Sequence, residues 1–176
     1  MKGLTRLFLF TVMVAAIVAG LRLLNWMPLS IQHEGLRKYR TVEDVREELG
    51  IKKIILPSYF PQHLIWPPSE ILAQGKPFPM VLMHFTDRET GDIVLAVRQA
   101  DSRLAASLSP RIVQERVDRR DEVIMKGRKA LLTAGSCPDG TPCHSVTWRE
   151  GTYVFTVAEK GNVQELLRIA ESMLSE

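Results

Sequence analysis

The stretch CHSVTWREGTYVFTV, residues 143–157, decides the fold of this chain. Apolar and aromatic residues alternate with polar ones on either side of Glu150 and Gly151, a pattern that predicts a β-hairpin turning at these two residues. One face of the first strand carries His144, Val146 and Trp148, and one face of its partner carries Tyr153, Phe155 and Val157.

The residues after this hairpin predict a helix. Asn162 is suited to the N-cap, and Glu165 stands at the capping-box position. Apolar residues then recur at i, i+3 and i+4 from Val163 to Leu174. Since an apolar stripe of this width packs on a sheet, the end of the chain predicts a helix lying on antiparallel strands.

Upstream segments extend the sheet. Residues 79–99 predict a second hairpin with Gly91 in its turn, and His84 is expected on the face opposite its apolar neighbours, at or near the surface. Further strands are expected near residues 112–117, 122–126 and 129–133. Charges of alternating sign from residue 115 to 122 indicate a solvated edge.

TVEDVREELG, residues 41–50, predicts a short helix with Thr41 as N-cap, Asp44 three residues on and Gly50 at the end. The following region holds six of the ten prolines between Pro57 and Pro79 and is expected to be extended and irregular. It is nevertheless strongly apolar. It predicts either a covering layer over the core or an exposed binding ledge of Tyr59, Phe60 and Trp66.

Residues 7–21, LFLFTVMVAAIVAGL, are uncharged and predict a membrane-targeting element. The run alone is short for a bilayer, but snorkelling of Arg6 and Arg22 would extend a helix to Trp26. A cleaved signal peptide is the alternative. The expected domains are an anchor or signal peptide at 1–27, a linker at 28–40 and an extracytoplasmic α+β domain at 41–176.

These elements predict an α+β fold: an antiparallel sheet of five or six strands with a short N-terminal helix and a C-terminal helix packed on it, preceded by one transmembrane helix. Lys2 and Arg6 before the apolar run indicate a signal-anchor, although Arg37, Lys38 and Arg40 also lie near the membrane. We therefore expect a single-pass protein of the cytoplasmic membrane, with its C-terminal domain outside the cytoplasm.

The charge of the chain argues against nucleic-acid binding. Its net charge is +3, from 23 basic and 20 acidic residues. Three of the basic residues, Lys2, Arg6 and Arg22, flank the apolar run, so the remainder holds 20 of each sign. A neutral domain lacks the basic footprint that phosphate backbones require.

Both cysteines lie in GSCPDGTPCHS, residues 135–145. With His144 they could contribute zinc ligands, but the spacing is long and a fourth ligand is missing. A redox pair would be spaced C-x-x-C. The Pro-Asp-Gly-Thr-Pro spacer is a turn sequence that brings its ends together, and an exported chain meets an oxidising compartment, so a disulfide between Cys137 and Cys143 is favoured.

No catalytic motif is present. His33, His63, His84 and His144 are dispersed, and the chain has neither HExxH, a phosphate-binding glycine loop nor a Gly-x-Ser-x-Gly elbow. The sequence thus predicts no enzyme, no metal site and no cofactor.

Two segments carry a family resemblance. TWREGTYVFTVAEKGNVQELLRIAESM resembles the closing block of a membrane-anchored bacterial envelope domain family of unknown function, associated with sporulation and sigma regulators. LPSYFP, residues 56–61, is similar to the signature that opens that domain. The layout is also similar to the smaller C-terminal domain of periplasmic sigma-regulator proteins. The resemblance covers about residues 51–175 and implies the fold and the envelope location, without an active site.

The expected function is that of a non-catalytic binding or regulatory module that contacts another envelope protein. The alternative is a carrier or sensor of a small apolar or lipid ligand, with a cavity between the sheet and the C-terminal helix.

Overall fold

In a computed structural model, the described residues are 36–104 and 115–174, with the single positions 12, 13, 17, 22 and 112. The chain divides into two units, Met1–Leu36 and Arg37–Glu176. In the first unit, positions 12, 13, 17 and 22 are helical and exposed. Within the described residues, no helix has the length and apolar character needed to cross a membrane.

The described part of the second unit is an eight-stranded antiparallel sheet with two short helices. The strands stand in the order β1-β2-β3-β4-β8-β7-β6-β5, so β8 lies between β4 and β7, and the chain crosses from the middle of the sheet to its far edge after β4. The elements are β1 (Arg37–Tyr39), α1 (Val42–Leu49), β2 (Glu70–Gln74), β3 (Met80–Thr86), β4 (Ile93–Asp101), β5 (Arg116–Met125), β6 (Arg128–Ser136), β7 (Pro142–Glu150), β8 (Tyr153–Lys160) and α2 (Val163–Ser172).

Both helices begin as their sequences predict. At α1, Thr41 Oγ1 accepts from the Asp44 N–H at 3.0 Å, and the Asp44 carboxylate accepts from the Thr41 N–H at 3.0 Å. This reciprocal capping box begins a helix of eight residues, which ends at Gly50 with a φ of 66°. At α2, Asn162 Oδ1 accepts from the Gln164 N–H at 2.8 Å.

The helices lie on one face of the sheet and cover the main core. Leu166, Ile169 and Ala170 of α2 are buried in one cluster with side chains of β3, β4, β7 and β8. Trp148 and Phe155, cross-strand neighbours of the C-terminal hairpin, stack there with ring centroids 5.3 Å apart. Both predicted hairpins, at 79–99 and at 143–157, are confirmed.

The middle of the sheet is buried on its second face as well. A smaller cluster there joins Leu82, Ala96, Ala158 and both cysteines with Ile112, which lies on the connection between β4 and β5. His84 belongs to this face and is 0% exposed, so the prediction that it lies at or near the surface is wrong. Its Nδ1 lies 3.1 Å from Glu70 Oε2 on β2, a strand that the sequence did not predict.

The prediction of five or six strands preceded by a transmembrane helix is wrong: the sheet has eight strands, and no described helix could span a membrane. Most of residues 7–21, on which that helix was placed, lie outside the described residues. The three-residue β1 lies inside the predicted linker at 28–40 and is too short to show alternation. β2 lies in the proline-rich region, and it is stabilised by pairing with β3, which no local sequence pattern indicates.

Candidate partner-binding site

The predicted ledge lies on a strap, which we define as residues 51–69, between α1 and β2. Two side chains fix its first half to the domain. Gln99 of β4 accepts from the Ile55 N–H at 3.1 Å and donates to the Lys53 carbonyl at 2.6 Å. Ser58 Oγ donates to the carbonyl of Ser172 at the end of α2, at 3.0 Å.

The second half of the strap is held by backbone hydrogen bonds. The Ile65 N–H donates to the Thr86 carbonyl at 2.9 Å, and the Arg88 N–H donates to the His63 carbonyl at 2.7 Å. Leu64 is buried and forms an isolated bridge with Asp87. Because both halves are anchored, the aromatic residues between them are held in fixed positions.

Three aromatic rings meet at this place. Phe60 lies edge-on to Trp66 with ring centroids 5.5 Å apart, and both rings contact Phe85 of β3, at 4.9 and 6.1 Å. Phe85 is fully buried, Phe60 is half-buried, and Trp66 is 52% exposed. The core ring thus supports an indole that presents about half of its surface to solvent.

The structure brings together two of the three predicted ledge residues. Phe60 and Trp66 are in contact, whereas Tyr59 is 38% exposed beside them and forms no ring contact among the described residues. Ile65, which the sequence did not single out as a contact residue, is also exposed and widens the apolar surface. The supporting role of Phe85 has no sequence signal, because alternation predicts only that this side chain is buried.

Charged groups border the ledge on the side of the β3–β4 turn. The backbone N–H of Thr90, followed by that of Glu89, lowers the pKa of Asp87 below its ordinary value. Nε2 of His63 lies 4.0 Å from Oε2 of Glu165, in the first turn of α2. The ledge is therefore an apolar surface with ionisable groups at one border.

The cysteine loop is a disulfide, as predicted. Cys137 and Cys143 are bonded, with Cα atoms 5.4 Å apart. The turn between them is closed by the Cys137 N–H, which donates to the Thr141 carbonyl at 2.9 Å. Asp139 accepts from Lys160 Nζ at 2.8 Å, which together with hydrogen bonds from Thr141 holds the pKa of Asp139 far below its ordinary value. With both thiols oxidised, neither is a zinc ligand.

A concavity of about 550 Å³ opens on the face of the sheet opposite the helices. Its lining includes Leu131, Thr147 and Val154, which alternate along their strands with core residues. On the helix side, α2 is packed directly onto the buried core. Across the described positions, no three His, Cys, Asp or Glu side chains are grouped as a metal ion requires.

Comparison of the chain with protein-family models, with curated proteins and with solved structures finds no match.

Proposed function

We propose that this chain is a non-catalytic binding module that acts outside the cytoplasm, at the membrane, and contacts another envelope protein through the ledge of Tyr59, Phe60 and Trp66. The observation that carries the proposal is the half-exposed Trp66, fixed on Phe60 and Phe85. Aromatic anchors that are rigid before binding lose little conformational entropy, and Trp and Tyr are enriched among residues that dominate interface energies.

The proposed location is supported by the disulfide, by the composition of residues 7–21 and by the family resemblance. Cys137 and Cys143 form a disulfide, and disulfides form and persist in oxidising compartments. Residues 7–21 have the composition of an export or membrane-targeting segment. The resemblance to membrane-anchored envelope domains points to the same location.

Site-specific photo-crosslinking in cells tests the proposal. A photoreactive residue at position 66 of the full-length chain should give one dominant protein adduct, and position 59 should give the same adduct. Position 124 is the matched control, because Ile124 is 73% exposed but lies on β5, away from the ledge. Adducts at position 124 without adducts at 59 and 66 would contradict the proposed surface.

The partner identified in this way allows a quantitative test. Trp66→Ala should weaken its binding by about 30-fold, the effect of losing an anchor worth about 2 kcal/mol. Ile124→Ala should leave the Kd unchanged. An unchanged Kd in Trp66→Ala would show that the ledge is not the contact.

A further inference from the structure

A carboxyl group is buried on the helix-covered face of the sheet. Glu159 of β8 is 4% exposed, and its Oε2 has no hydrogen-bond partner among the described residues. Its cross-strand neighbours are Leu95 of β4 and His144 of β7. Nδ1 of His144 is likewise buried without a partner in this part of the chain. When Glu159 is ionised, Oε2 therefore lacks a hydrogen bond that would offset its lost hydration.

A second carboxyl group, on α2, acts electrostatically on the first. Burial, and then the negative charge of Glu165 on α2, raise the pKa of Glu159 to about 8. The residues around Glu159 come from three elements. The neighbour from β4 is the apolar Leu95, and the ionisable neighbours are His144 of β7 and Glu165 of α2. The strap contributes His63, which lies 4.0 Å from Glu165.

Glu159 is also connected to the ledge. Phe85, Leu95 and Glu159 are successive cross-strand partners on β3, β4 and β8. With neighbouring strands about 4.8 Å apart, Phe85 lies roughly 10 Å from Glu159. Phe85 is the ring on which Phe60 and Trp66 rest, and His63 lies three residues before Trp66 on the strap.

We propose that Glu159 and Glu165 form a proton-dependent latch, which holds α2 and the strap on the sheet when Glu159 is protonated and loosens them when it is ionised. Loss of the proton leaves a negative charge on the buried Glu159, which repels the partly exposed carboxylate of Glu165 on α2. The latch itself is independent of the proposed function, whereas its consequence for partner binding rests on that function.

The direction of the pH dependence follows from the pKa of Glu159. Its ordinary value is 4.5 and its folded value is about 8, so between these pH values the folded state holds one more proton than the unfolded state. The ratio of folded to unfolded protein therefore falls by up to about tenfold for each pH unit as the pH rises. The fall ends above about pH 8, where both states are ionised.

Equilibrium unfolding of the full-length chain in mild detergent, at pH 5.5, 7.0 and 8.5, tests the latch. The wild type should become less stable over this range. Glu159→Gln, which keeps the shape and removes the titration, should show a flat profile. Glu171→Gln removes the same charge from the same helix and is the matched control, with the wild-type slope. A wild-type slope in Glu159→Gln would overturn the proposal.

Two further measurements cover other outcomes. If Glu159→Gln does not fold, Glu165→Gln takes its place. Without the negative charge of Glu165, ionisation of Glu159 is less strongly opposed, so its folded pKa falls and the loss of stability should end at a lower pH than in the wild type. An unchanged profile would overturn the latch.

Hydrogen exchange followed by mass spectrometry locates the effect. After correction for intrinsic exchange rates, amides of residues 163–172 and 57–66 should exchange faster at pH 8.5 than at pH 6, and Glu159→Gln should remove the difference. Equal corrected exchange rates of these amides at the two pH values in the wild type would overturn the latch. If the latch is present but partner binding through Trp66 does not change with pH, the link to the ledge fails while the latch stands.

Discussion

The middle strand β3 and the edge strand β5 differ in how their side chains are buried. In β3, every side chain from Met80 to Phe85 is buried, because the main core and the strap cover one face and the cluster that contains Ile112 covers the other. In β5, every side chain from Arg116 to Arg120 is exposed. β3 is thus stabilised by the burial of its side chains, whereas β5 is held by its hydrogen-bonded pairing with β6.

The edge strand is also protected against pairing with other chains. Its charges form ion pairs, with Arg116 Nε 2.7 Å from Asp118 and Arg119 Nε 2.6 Å from Asp121. Exposed pairs of this kind contribute at most about 1 kcal/mol each. The register shifts between Val117 and Arg119, and an irregular, charged edge is a poor template for another strand.

The largest expected effect is in the middle of the sheet. Phe155→Ala removes a fully buried ring that stacks on Trp148, and it should lower the free energy of unfolding by about 3–5 kcal/mol. Urea unfolding of the full-length chain measures this loss. Phe155→Leu, which retains most of the volume, should cost clearly less; equal costs would show that the ring is not packed as described.

The disulfide should contribute about 2 kcal/mol, since its ring closes only seven residues of chain. Cys137→Ser combined with Cys143→Ser should show this loss in the same unfolding assay. Treatment of the wild type with a reductant should give a similar loss and have no effect on the double variant. A larger loss in the double variant than in the reduced protein would indicate a packing role for the sulfur atoms.

Gly135→Ala should destabilise the contact between β5 and β6 by about 1–3 kcal/mol, because the new Cβ would meet the Arg116 carbonyl oxygen and part of the backbone must move. Gly75→Ala is the matched control, since a Cβ there reaches only ordinary contact distances of 3.4 Å from Leu49. Thermal unfolding compares the two. Equal melting temperatures of the two variants would show that β5 can move away from the new Cβ without loss of stability.

The smallest expected effect is that of Ile124→Ala on β5. This side chain is 73% exposed, so its truncation should change the free energy of unfolding by about 0.5 kcal/mol or less. A loss comparable to that of Phe155→Ala would mean that the edge strand is covered in the intact protein, and the contrast between the two regions would then disappear.

Sequence patterns predicted the elements whose stability is local or amphipathic. The helix at 41–50, the C-terminal helix and both hairpins are present, because caps, turns and alternation are written into consecutive residues. β1 and β2 were missed because their pairing depends on β3. His84 was misplaced because alternation cannot show that both faces of a strand are covered.

The candidate site was predicted only in part. Proline and aromatic composition indicated the ledge, but its support on Phe85 depends on tertiary packing. Glu159 was overlooked although the sequence carried a signal for it. It continues the alternating series of Tyr153, Phe155 and Val157 on β8. An acidic residue in such a series either lies at the end of the buried face or requires a partner.

The position of β8 has a consequence for biosynthesis. Residues 153–160 are synthesised after the other seven strands, yet they lie between β4 and β7 and join the two halves of the sheet. Before they are available, β1–β4 and β5–β7 share no ladder, and β4 and β7 each present an unpaired edge. The eight-stranded sheet therefore cannot be completed until β8 has been made.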